Sequence, residues 1–217
     1  MLTLGAGQYE LIRSQSGFSV SLSPPQTARG PQAWQLDLHY VPTDRNPEPQ
    51  PLWECEHLEL CCQPFHYQTD DWRGLTHFGP ADLDPILFNI TLGNLLENQP
   101  TCTRHFVTPD EFTVQHLEGY RFRCQLEGRL HRDEECLALE LDDEIHFAQA
   151  TISVPVNAAD PIATAQGLAR RAIQLTEFAG SHLTRNDWRQ TQGAAGPLEF
   201  AHRVTLYTPW RQQMASG

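Results

Sequence analysis

YRFRCQLEGRLH, Tyr120–His131, is followed almost at once by ECLALELDDEIHFAQATISV, Glu135–Val154, and these two segments decide the fold. In the first, Phe122, Cys124, Leu126 and Leu130 occupy even positions, and Arg121, Arg123, Gln125, Glu127 and Arg129 the odd ones. Side chains alternate across a strand with period two, so the pattern predicts a strand with one buried and one wet face. The second segment sets Leu137, Leu139 and Leu141 against Glu140, Asp142 and Glu144. With Arg132–Glu135 as the turn, the two form a hairpin. Charge complementarity predicts the register in which Arg123 faces Asp142 and Arg121 faces Glu144, with no like charges opposed. Cys124 and Cys136 alternate with core-type residues and read as small buried hydrophobes.

Upstream, Tyr9–Arg13, Phe18–Leu22 and Trp34–Tyr40 show the same alternation, with turn chemistry at Ser14–Gly17 and Ser23–Pro31. Pro47, Pro49 and Pro51 exclude Thr43–Pro51 from a central strand and make it a surface loop, after which Leu52–Cys62 reads as a fourth strand. Asp82–Asn98 is expected to be a shorter middle helix, with Pro85 in its first turn and Leu87, Ile90, Asn94 and Leu95 along one side. Downstream, Asp160-Pro161 opens a long amphipathic helix that is expected to run to Ala179, bury Leu168, Ala172 and Leu175, and stop at Gly180. Ala201–Tyr207 forms a last strand, and 211–217 a disordered tail. The expected architecture is one α+β domain over residues 1–210, a mainly antiparallel curved sheet with the long C-terminal helix packed on it.

The 217 residues carry 15 cations and 27 carboxylates, a formal charge of −12. Charge of this sign repels phosphate backbones and anionic lipid, so neither nucleic acid nor membrane is an expected partner. Every cation is Arg. The absence of Lys removes the P-loop lysine and all Schiff-base or pyridoxal-phosphate chemistry. No basic segment leads into an apolar run at the N-terminus, and no stretch approaches the ~20 apolar residues of a membrane span, so the expected compartment is the cytoplasm. Six Cys without a C-x-x-C pair read as reduced thiols rather than a disulfide scaffold.

The dinucleotide-binding glycine pattern, Gly-x-Ser-x-Gly and His-Glu-x-x-His are all missing. Four constellations remain. Cys55, His57, Glu59 and Cys61 alternate onto one side of a strand, donors that zinc accepts, although the reading without a metal is a half-polar surface, and no cofactor is expected. Asp37-Leu38-His39 is a weaker carboxylate–imidazole pair on another strand. The unpatterned segment 63–82 concentrates His66, Asp70, Asp71, Arg73 and His77 beside Trp72, groups suited to acid–base work and anion binding at a pocket. Finally, Asp133–Glu144 holds seven carboxylates in twelve residues. Glu134, Glu135, Asp142, Asp143 and Glu144 are expected, with Trp72, to present an acidic and aromatic surface to a basic protein partner. On this reading the protein is a non-enzymatic binding module, such as an inhibitor, an immunity-type protein or an assembly factor. The alternative is an enzyme or small-ligand binder, such as a metal-dependent hydrolase, with its pocket at segment 63–82.

Overall fold

The computed structural model describes residues 1–22, 32–43, 57–75, 77–78, 88–94, 101–132, 135–189 and 199–210. Strands account for 64% of the structure, the sheet is mixed, with parallel as well as antiparallel pairing, and one α-helix is found among the described residues. This overturns the α+β expectation of a long C-terminal helix and a shorter middle helix on an antiparallel sheet. The chain, expected as a single domain, divides into two compact units: 1–18, 35–65 and 75–146 form the first, and 19–34, 66–74 and 147–217 the second.

The first unit is a closed barrel. Its strands are β1 (Leu2–Leu4), β2 (Gly7–Leu11), part of β4 (Gln32–Pro42), β5 (His57–His66), β7 (Phe88–Asn94), β8 (Thr101–His116), β9 (Arg121–Arg132) and the first half of β10 (Glu135–Pro155), hydrogen-bonded in that order. β1 then pairs with β10, Leu2 opposite Leu141 and Leu4 opposite Leu139, which joins the first strand to the last. β3 (Gly17–Leu22) pairs with β4 and β10, and β6 (His77–Phe78) with β8. An eight-stranded barrel has an interior about wide enough for its own side chains. Leu36, Leu38, Tyr40, Leu58, Leu60, Cys62, Phe122, Cys124, Leu126 and Leu130 are all at most 2% exposed. Phe18 meets Phe122 edge to face with ring centres 4.6 Å apart, and Phe88 meets Phe112 at 5.2 Å. Each such side chain contributes about 1.5–3 kcal/mol by leaving water. The outward positions of β9 are charged or amide residues, the reverse of the apolar belt on a membrane-spanning barrel.

The middle helix does not form where the structure describes it: Phe88–Asn94 is strand β7, between β5 and β8. Phe88 and Ile90 are fully buried, a period of two, and β-branched Ile90 and Thr91 with Gly93 suit a strand better than a helix. The rest of 82–98 lies outside the described residues.

The β9–β10 hairpin forms, two residues out of the expected register. Arg123 lies directly opposite Glu144, and Glu127 opposite Glu140. Arg123 still finds Asp142, on the diagonal, through Nε at 2.8 Å and Nη2 at 2.5 Å, and Arg121 reaches Glu144 at 3.7 Å. Charge complementarity therefore named the contacting groups and misplaced the backbone, because long Arg side chains span a diagonal. Cys136 is exposed rather than buried.

In the second unit, β10 from Gln149 to Pro155 pairs with β12 (Glu199–Tyr207), and β12 with β11 (Gly180–Arg189). The burial phase of β10 changes where the units divide: Leu139, Leu141 and Ile145 are buried before it, Ala150, Ile152 and Val154 after it. Helix α1 (Pro161–Ile173) packs against β12 and β11. Asp160 caps it as expected, its carboxylate accepting from the Ala163 N–H at 3.0 Å, with Pro161 following. The helix stops short of Ala179 because Gln174 takes the left-handed conformation, φ 55°, and donates its N–H to the Ala169 carbonyl. Its buried side chains are Ala165, Ala169 and Ile173; Leu168 and Ala172 are only half-buried, and Leu175 is buried beyond the helix end. Residues 211–217 lie outside the described residues.

Candidate functional site

The segment after β5 is pinned rather than open. The Gln32 side chain clamps Thr69 from both sides, donating to its carbonyl at 2.6 Å and accepting from its N–H at 3.1 Å. Trp34 Nε1 donates to the Tyr67 carbonyl at 2.9 Å. Trp72 is buried and stacks on Phe147 with ring centres 5.2 Å apart, while the Arg73 guanidinium lies over the Trp72 ring, 5.0 Å from its centre. Arg73 is also paired to Asp71 at 3.0 Å. Trp72, expected on the binding surface, is thus buried as a core anchor of its unit. Asp70 is exposed. The side chains of His66 and His77 lie outside the described part, and their backbones belong to different units.

Of the four alternating donors Cys55, His57, Glu59 and Cys61, the structure describes the side chains of the last two, both on β5. Cys61 donates its S–H to Glu59 Oε1 at 3.0 Å. Asp37, on neighbouring β4, completes a group whose ligand atoms all lie within 4.8 Å of one another, each residue half-buried. Gln35 holds the Asp37 carboxylate through Nε2 at 2.9 and 3.1 Å. Burial pushes the Cys61 thiol far above its ordinary range, and the hydrogen bond and charge of Glu59, then the charge of Asp37, add to it. Asp37 was legible as a candidate with His39, but nothing local tells which strand adjoins it. Cys55 and the side chain of His57 lie outside the described residues.

The expected acidic surface is rearranged by ion pairing. Asp142 is held by Arg123, whose guanidinium keeps its carboxyl below the usual carboxylate range. Asp143 is mostly buried, accepts from the Tyr40 hydroxyl at 3.1 Å and pairs with the Met1 ammonium. Glu144 lies near Arg121, Glu135 is exposed, and Glu134 is outside the described residues. What replaces this run is a row across three strands. Glu111 on β8 is directly opposite Glu127 on β9, which is directly opposite Glu140 on β10, and all three are exposed. Among the described residues neither Glu127 nor Glu140 has an ion pair, since Arg129 is taken by Asp110 at 2.8 Å and Arg123 by Asp142. Directly opposed like charges destabilise a sheet. Along the same face lies Phe106, 60% exposed, opposite His131.

No protein-family model, no curated protein and no solved structure matches this chain.

Proposed function

We propose that the protein is a non-enzymatic cytoplasmic binding module that docks a protein partner with a basic surface on the outer face of β8, β9 and β10. The observation that carries this reading is the row Glu111–Glu127–Glu140, three exposed carboxylates set side by side across three strands, of which Glu127 and Glu140 have no ion pair among the described residues. A single-sign row of this kind speeds and orients encounter with the opposite sign, and a partner's guanidinium or ammonium groups relieve the repulsion. Phe106, exposed on the same face, supplies the apolar anchor that charge alone lacks. The formal charge of −12 disfavours nucleic acid as the partner, and no helix among the described residues is long and apolar enough to cross a membrane.

The test is retention of native-lysate proteins on the immobilised chain at low and high salt, alongside a Glu111→Gln, Glu127→Gln, Glu140→Gln variant. The expected result is one basic protein, retained at low salt, released at high salt and lost from the triple variant. Retention indifferent to both salt and the triple substitution overturns the reading, as does retention of nothing.

A further inference from the structure

We propose that Asp37, Glu59 and Cys61 form a binding site for a divalent cation of the zinc class on the wall of the barrel, a site independent of the docking face. Three ligand atoms within 4.8 Å of one another, two carboxylate oxygens and one sulfur, are close enough for small side-chain rotations to bring them to three corners of a tetrahedron around a single ion, whose zinc–oxygen and zinc–sulfur bonds are about 2.0–2.3 Å. The mixed donor set selects the metal: sulfur excludes magnesium and calcium, which take oxygen only, and favours zinc and its spectroscopic substitute cobalt(II). Adjacent strands β4 and β5 fix the spacing of the donors, so little ordering is needed on binding. Gln35 orients the Asp37 carboxylate from outside the cluster, the supporting role that ligand-holding groups play around metals. Among the described residues no cation pairs with Asp37 or Glu59. On binding, Cys61 gives up the proton it donates to Glu59; that proton leaves to solvent, and the thiolate, Glu59 and Asp37 each give an electron pair to the ion. Water takes the fourth corner.

Cobalt(II) titration of the full chain reads the site directly. The expected result is one ion per chain, a thiolate-to-cobalt charge-transfer band in the near ultraviolet, release of one proton, and displacement by zinc. Cys61→Ser removes the band, and Asp37→Asn or Glu59→Gln weakens binding by about tenfold or more. Cys136→Ser, which alters an exposed thiol away from the cluster, leaves all of this unchanged. If wild-type protein takes up no cobalt, or if the band survives in Cys61→Ser, the site does not exist. Should Cys61→Ser fail to fold, the two carboxylate variants decide: affinity unchanged in both overturns the proposal.

Discussion

Gly128 lies directly opposite Pro109, and a β-carbon placed on it would sit 2.6 Å from the Thr108 carbonyl oxygen and 3.1 Å from the Pro109 Cα. The contact is backbone on backbone, at the bulge where the pairing of β8 and β9 shifts between Pro109 and Glu111. No rotamer change relieves it.

Gly128→Ala should therefore destabilise the barrel by about 1–3 kcal/mol, as overpacking does, and Gly128→Val by more. Gly119 provides the contrast: it has φ +53° with nothing within 4 Å of its would-be β-carbon. Gly119→Ala should cost about 1–2 kcal/mol from backbone strain alone, and Gly119→Asn less, since Asn tolerates that conformation. Denaturant midpoints of the four variants separate steric from conformational need.

Helix α1 offers a second contrast. Ala169 is fully buried whereas its neighbour Leu168 is half-buried. Ala169→Asp buries an unpaired carboxylate and should unfold the second unit, while Leu168→Asp, able to reach water, should leave it folded with a lowered melting temperature. Equal damage from both would place the helix on a different face.

Acid sensitivity should trace in part to His146. Burial, then the charges of Arg13 and Arg121, push its imidazole down from 6.5 to about 4. The folded state thus prefers the neutral ring, and between those two values the unfolded chain binds a proton that the folded one refuses. Stability falls as pH drops from about 6.5 to about 4 and is unaffected by this group above that window. Unfolding free energy measured across this range in wild type and His146→Leu should diverge, the variant showing the shallower slope. Parallel curves would assign the acid sensitivity to other groups.

How much of this was legible depends on the range of the interactions involved. The alternation of Tyr120–His131 marks β9 because period two is a local property, and Asp160-Pro161 marks the start of α1 because a cap and its first turn are contiguous. The end of α1 is not legible, because Leu175 continues the apolar spacing and only the backbone of Gln174 shows that the helix has stopped. The strand character of Phe88–Asn94 was hidden by a Leu/Ile spacing that serves either element, and β5 and β8 on its two sides decide between them. The metal-ligating cluster divides the same way: Glu59 and Cys61 share a strand and were readable, whereas Asp37 joins them only through the neighbour relation of β4 and β5. The glutamate row needs two registers at once, β8 on β9 and β9 on β10, and a one-step slip of either dissolves it.

The pairing of Leu2–Leu4 with Leu139–Leu141 sets a schedule for folding. Hairpins such as β8–β9 and β9–β10 join segments close in sequence and can form early, whereas the seam between β1 and β10 demands a large loop-closure entropy and high contact order. During synthesis the hairpin of β1 and β2 leaves the ribosome long before residues 139–141 exist, so β1 spends that interval with an open edge, seeking another strand. Closure of the ring is therefore expected to follow its local hairpins, and strand exchange between two nascent chains at this seam is the hazard that the open edge carries.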